Sequence, residues 1–184
     1  MKVRDLTNIA LFTAIMGVLG LFPPIPLSFT PVPLTLQTVG MFLAGGLLGA
    51  KKGFYSQVVF LLLVAVGVPL LSGGRGGLGV FVGPSAGYIF GYAIITFCIG
   101  FSLSRIKNLT FMKLYVSNLL VGVFLLYCIG VPVQAFIMNL SIIDTIKISL
   151  VYIPGDIIKA TLASYIVYKL RKKSVIQKQL LKAS

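Results

Sequence analysis

Six apolar runs, each near the length of a bilayer crossing, divide this 184-residue chain, and no other feature limits its fold so strictly. They cover residues 6–22, 34–50, 54–71, 86–104, 113–131 and 150–170. In hydrocarbon a backbone must satisfy its polar groups within the segment, so runs of this length read as helices. The expected fold is an all-α integral membrane protein, a bundle of about six transmembrane helices. It forms a single domain over residues 1–184, with a basic cytoplasmic tail at 171–184.

The gaps between the runs fall into two kinds. PPIPLSFTPVP, SGGRGGLGVFVGPS and VPVQAFIMNLSIIDT are long, rich in turn residues and almost uncharged. The alternate gaps and the two ends carry 13 of the 16 Lys and Arg; Arg75 and Lys147 lie on the other side and Lys159 lies within the sixth run. Basic loops stay in the cytoplasm, so the reading is a multi-pass protein of the cell membrane with both termini cytoplasmic. The first run follows Lys2 and Arg4 like a signal peptide, yet it offers no convincing small-residue cleavage site and reads as a retained helix. Pro132 either kinks a helix that continues or ends it, which leaves 132–149 open. No internal repeat of convincing strength is present.

Composition excludes several classes of function. A net charge of +13 would suit nucleic acid, but the cations flank apolar runs instead of forming a stripe. There is no His and no Glu, and the three acids are Asp5, Asp144 and Asp156, so neither a metal site nor a carboxylate pair is available. Cys98 and Cys128 lie in apolar runs, where a free thiol behaves as a small hydrophobe. An enzyme is not expected, and neither is a cofactor.

The polar residues inside the runs are therefore few and informative. Asp156 and Lys159 stand three apart in VYIPGDIIKA, on one helix face. Ionisable groups at mid-membrane cost at least about 2.5 kcal/mol each, so they face the bundle interior or a wet cavity. They form either a self-neutralising structural pair or a ligand site; Pro154 and Gly155 just before them, as an interruption of the helix, favour the site. Arg75 lies in GGRGGLGVFVGPSAGY, where Gly74, Gly76 and Gly77 allow close backbone approach to a ligand; a flexible loop with a solvated arginine is the other reading. The loop has neither GxxxxGK(S/T) nor a strand-bound GxGxxG, so it is not a nucleotide cradle. Gln37 lies one turn into the second run, suited to a ligand or to an interhelical hydrogen bond. Tyr88 and Tyr152 fall near the outer boundary, as anchors or as ligand contacts. Ala10, Ala14 and Gly17 give the first run a small-residue face for another helix, internal or from a partner.

In PVPLTLQT with LAGGLLGAKKG, in GGRGGLGVFVGPSAGY and in VYIPGDIIKA, the chain resembles the BioY family, the biotin-specific substrate-capturing S components of energy-coupling factor (ECF) transporters. The resemblance covers nearly the whole chain. It implies a six-helix bundle that binds biotin at its external end, between the glycine loop and the sixth helix. It also implies partners, namely a transmembrane coupling subunit and two ATPase subunits, contacted through an AxxxA pattern matched by Ala10 and Ala14. Asp156 and Lys159 match the family's GDxxK segment. Some members carry an arginine directly after the GY of the loop, where this chain has Ile89; Arg75 is the cation expected to take its place. The alternatives are an S component for another small carboxylate or vitamin, a membrane-embedded enzyme, or a structural helper without a ligand.

Overall fold

The computed structural model describes the backbone of residues 2–183 and the side chains of residues 2–173. Its helices group into six rods. The first is α1 (Val3–Leu21), and α2 (Gln37–Leu48) and α3 (Ala50–Ala65) follow it, joined at Gly49. The fourth is α4 (Ala86–Ser104). The fifth joins α5 (Phe111–Ser117) to α6 (Phe124–Met138) through a π-helical segment, Asn118–Val123. The sixth joins α7 (Ile142–Ser149) to α8 (Ile153–Ala183) through a 3-10 turn, Leu150–Tyr152. Four of the rods, α1, α4, Phe111–Met138 and Ile142–Lys173, are long and apolar enough to cross a membrane. α4 is the central one, packed against α2, α3 and α6.

Several boundaries differ from those read in the sequence, each for a local reason. The third run ends at Ala65 instead of Leu71, because Gly67 takes φ 103° and the amide of Val68 closes back onto the Leu63 carbonyl. Leu70 and Leu71 then turn inward as loop. Pro132 does not end the fifth rod, which runs on to Met138 and stops where Asn139 adopts a left-handed φ of 53°. Ser141 caps a further helix, α7, by accepting from the Asp144 amide. In the sixth run, Pro154 and Gly155 do not interrupt the helix. They occupy the first turn of α8, where a proline needs no donor, and the irregular turn lies just before them. α8 continues past Leu170 to Ala183, so the segment read as a tail begins inside a helix; its side chains beyond Lys173 lie outside the described residues.

The first proline-rich gap holds a small hairpin. Strands β1 (Ile25–Leu27) and β2 (Thr30–Leu34) pair antiparallel around Ser28 and Phe29. Prolines 26, 31 and 33 forbid a helix here, and a two-stranded ribbon is all edge, so their missing donors are tolerated.

Two contacts define one end of the bundle. Lys52, at the α2–α3 corner, pairs with Asp5 of α1, and the Arg171 Nε of α8 donates to the Gly46 carbonyl at 2.7 Å. The opposite end is tied by Tyr152, whose hydroxyl donates to Thr30 Oγ1 at 2.8 Å and to the Val32 carbonyl at 2.9 Å. The hairpin is thereby fastened over the helix ends.

Candidate functional site

Asp156 enters in the first turn of α8, where the exposed amides and the helix dipole favour a carboxylate. Lys159 follows one turn later, and its Nζ lies 2.6 Å from Asp156 Oδ1. Both residues are buried, at 5% and 8% exposure, so each charge depends on the other. Neither is left with the pair alone. Tyr127 of α6 donates to Asp156 Oδ2 at 2.6 Å, and Lys159 donates to the Thr35 carbonyl at 3.0 Å, in the link between hairpin and α2. Three parts of the chain thus converge on one ion pair.

The glycine loop supplies a second cation. Leu71 and Arg75 exchange both backbone hydrogen bonds, at 3.0 and 3.2 Å, around a tight turn of Ser72, Gly73 and Gly74. Gly73 and Gly74 hold φ of 80° and 68°, a region that a Cβ disfavours. Gly76 lies against the Val68 carbonyl, where a Cβ would collide, and Gly77 has φ 86°. These glycines shape the loop, and none of them lines the cavity described below. Arg75 is half-buried, with its Nε donating to the Ser72 carbonyl at 3.2 Å.

Gln37 is almost fully buried, and its amide is committed. Its Nε2 donates to the carbonyls of Met16 and Leu70 at 3.3 and 3.0 Å, and its Oε1 accepts from the Ser72 amide at 3.3 Å. It pins the glycine loop to α1 and α2 and faces the cavity with what remains. Tyr88 donates to Gln134 Oε1 at 3.0 Å and stands edge-on to Tyr127, ring centroids 6.2 Å apart. Tyr152 is not a boundary anchor, since its buried hydroxyl holds the hairpin.

One cavity, of about 60 Å³, joins these groups: Gln37, Arg75, Tyr88, Tyr152, Asp156 and Lys159 all line it. Ile89 lines it too, as an apolar stretch of wall. Sequence reading missed Thr38, Tyr92 and Tyr127 on the same wall. Tyr127 lies 29 positions from its partner Asp156, and no spacing rule reaches that far. Two cations against one anion leave the lining with one net positive charge, and four tyrosines offer aromatic faces. Such a site suits a small monoanion that carries hydrogen-bonding groups and a compact ring. Among the described residues, no cluster of three His, Cys, Asp or Glu is placed to hold a metal.

A larger apolar groove between the fifth and sixth rods, about 500 Å³, shares Tyr127 with this cavity but has almost no polar lining. On α1, Gly17 packs inward against Leu70. Ala10 and Ala14 face outward in a stripe with Thr7, Val18 and Leu21. The small-residue face therefore divides, its glycine internal and its alanines exposed.

Comparison with known proteins gives consistent matches. The BioY family model matches residues 1–175. The probable biotin transporter BioY of Bacillus subtilis (strain 168) is 48% identical over 170 residues, covering 92% of this chain and 91% of that protein. The biotin transporter BioY of Lactococcus lactis subsp. cremoris (strain MG1363) is 42% identical over 175 residues, covering 94% and 93%. A solved structure, the S-component for biotin from an ECF-type ABC transporter, superposes with a TM-score of 0.89 at 41% identity, covering 92% of each chain.

Proposed function

This chain belongs to the BioY family, and from that premise we propose that it is the substrate-capturing S component of an ECF transporter, binding biotin for uptake. It is a transport protein and not an enzyme. The observation that carries the reading is the convergence of the Asp156–Lys159 pair and Arg75 on one cavity. Biotin carries a ureido ring with two N–H donors and a carbonyl, and a valerate chain ending in a carboxylate. The Asp156 carboxylate accepts from the ureido N–H groups, Lys159 donates to the ureido carbonyl, and Arg75 meets the carboxylate. The tyrosines of the wall pack against the bicyclic ring.

The site lies at the external end of a protein in the cell membrane, with both termini in the cytoplasm. The uneven spread of cations between the two ends supports this orientation. The exposed Ala10 and Ala14 are the docking face for a transmembrane coupling subunit, which two ATPase subunits drive. Biotin is the cargo, and energy enters through the partners. The cavity of about 60 Å³ has room for a few water molecules in the absence of ligand.

The direct test is titration of the purified chain with biotin in detergent or nanodiscs. Saturation below micromolar concentration is the expected result. Protein that shows none, but saturates with a different small carboxylate, belongs to an S component of other specificity.

A further inference from the structure

α2 opens onto the cavity. Val32 to Thr35, Gln37 and Thr38 line it in succession, so the chain enters its helix along the cavity wall. Leu36, which precedes the helix, gives it no side-chain cap. The Val39 amide closes onto the Leu36 carbonyl at 2.9 Å, while among the described residues the amides of Gln37 and Thr38 have no hydrogen-bond partner and form a partial positive charge at that end.

Thr38 supplies the second, independent observation. It is 7% exposed, it lines the cavity, and its Oγ1 is buried with no hydrogen-bond partner among the described residues. Other helical threonines differ. Thr7, Thr13, Thr145 and Thr161 each donate to the carbonyl four residues back. For Thr38 that residue is Leu34, which belongs to β2 and not to the helix, so the usual acceptor is out of place. A buried hydroxyl left unpaired is costly unless an incoming group takes it up.

The charges beside it are already arranged. Asp156 is taken by Lys159 and Tyr127, and Lys159 by Asp156 and Thr35. Ser72 links the remaining cation to α2: its amide donates to Gln37 Oε1, and its carbonyl accepts Arg75 Nε. Among the described residues the terminal guanidinium nitrogens of Arg75 have no hydrogen-bond partner.

We infer that the first turn of α2, the Thr38 hydroxyl and the Arg75 guanidinium together form the carboxylate-binding end of the cavity. This inference rests on the reading that the cavity takes biotin, and it adds Thr38 as the residue that recognises the ionised end of the ligand. The guanidinium supplies charge, and the hydroxyl and amides supply directed donors that a neutral ester cannot use equally well.

Titration of the full chain in nanodiscs with biotin and with biotin methyl ester tests it. Wild-type protein should bind the ester at least about tenfold more weakly than biotin. Thr38→Val should weaken biotin about tenfold and the ester by much less, and Thr38→Ser should restore wild-type affinity for biotin. If Thr38→Val fails to fold, Thr38→Ala, which fills less space, takes the same measurement. Equal weakening of both ligands in the variant, or of neither, overturns the inference while the biotin assignment stands. Wild-type protein that saturates with neither ligand overturns that assignment, and this inference with it.

Discussion

The Tyr127 hydroxyl donates to Asp156 Oδ2 at 2.6 Å, which joins α6 to the first turn of α8 through the cavity wall. This bond holds the carboxylate in one orientation while its other oxygen faces Lys159. Tyr127→Phe keeps the ring but frees the carboxylate to rotate. Biotin affinity should fall about tenfold, the worth of one hydrogen bond to a charged group, as read by calorimetric titration.

The Asp156–Lys159 pair separates stability from binding. Asp156→Asn strands a buried ammonium and Lys159→Met strands a buried carboxylate, so each single change should cost about 3 kcal/mol or more. Asp156→Asn with Lys159→Met removes both charges. It should regain much of the lost stability in thermal unfolding and still bind no biotin. A double variant no more stable than the worse single one would refute the coupling.

Arg75 and Ile89 line the same cavity, so a cation can reach the ligand from either position. Arg75→Ala should weaken biotin at least about tenfold. Adding Ile89→Arg to that variant should recover part of the loss. Wild-type affinity in Arg75→Ala would remove Arg75 as the partner of the carboxylate.

Loop shape and ligand contact can be told apart with two glycines. Gly74 sits at φ 68°, whereas Gly79 has an ordinary φ and open space where a Cβ would project. Gly74→Ala should cost about 1 kcal/mol in backbone strain and displace Arg75, weakening biotin several-fold by the same titration. Gly79→Ala should leave both stability and affinity unchanged.

The outward face of α1 predicts a variant that captures but does not transport. Ala10→Leu with Ala14→Leu fills the shallow stripe without touching the core. The isolated chain should still bind biotin, while copurification with the proposed coupling subunit is lost. Gly17→Leu should behave differently and destabilise the chain itself, because Leu70 already occupies that space.

Much of the cavity lining was legible in the sequence. An acid and a base three apart in an apolar run have few explanations, because hydrocarbon penalises each of them. The glycine loop was legible as a loop, but not its inner construction: Gly74, Gly76 and Gly77 shape the turn that carries Arg75 and do not line the cavity. Gln37 was equally consistent with a ligand or a helix contact, and its three committed hydrogen-bond partners lie 21 to 35 positions away. Thr38 and Tyr127 gave no signal, since a single hydroxyl in an apolar run is compatible with almost any helix face.

By itself the sequence determined a bundle of apolar helices suited to a membrane, with most of its cations gathered in the alternate gaps and at the two ends. These follow from the cost of exposing backbone and charge to lipid, a cost paid segment by segment. Only the tertiary structure decided which polar groups satisfy one another and which remain available: Gln37 closed by Met16, Leu70 and Ser72, Asp156 held by Tyr127, Thr38 left open. Hydrogen bonds between distant segments depend on distances that packing alone sets, and no local pattern in the chain encodes them.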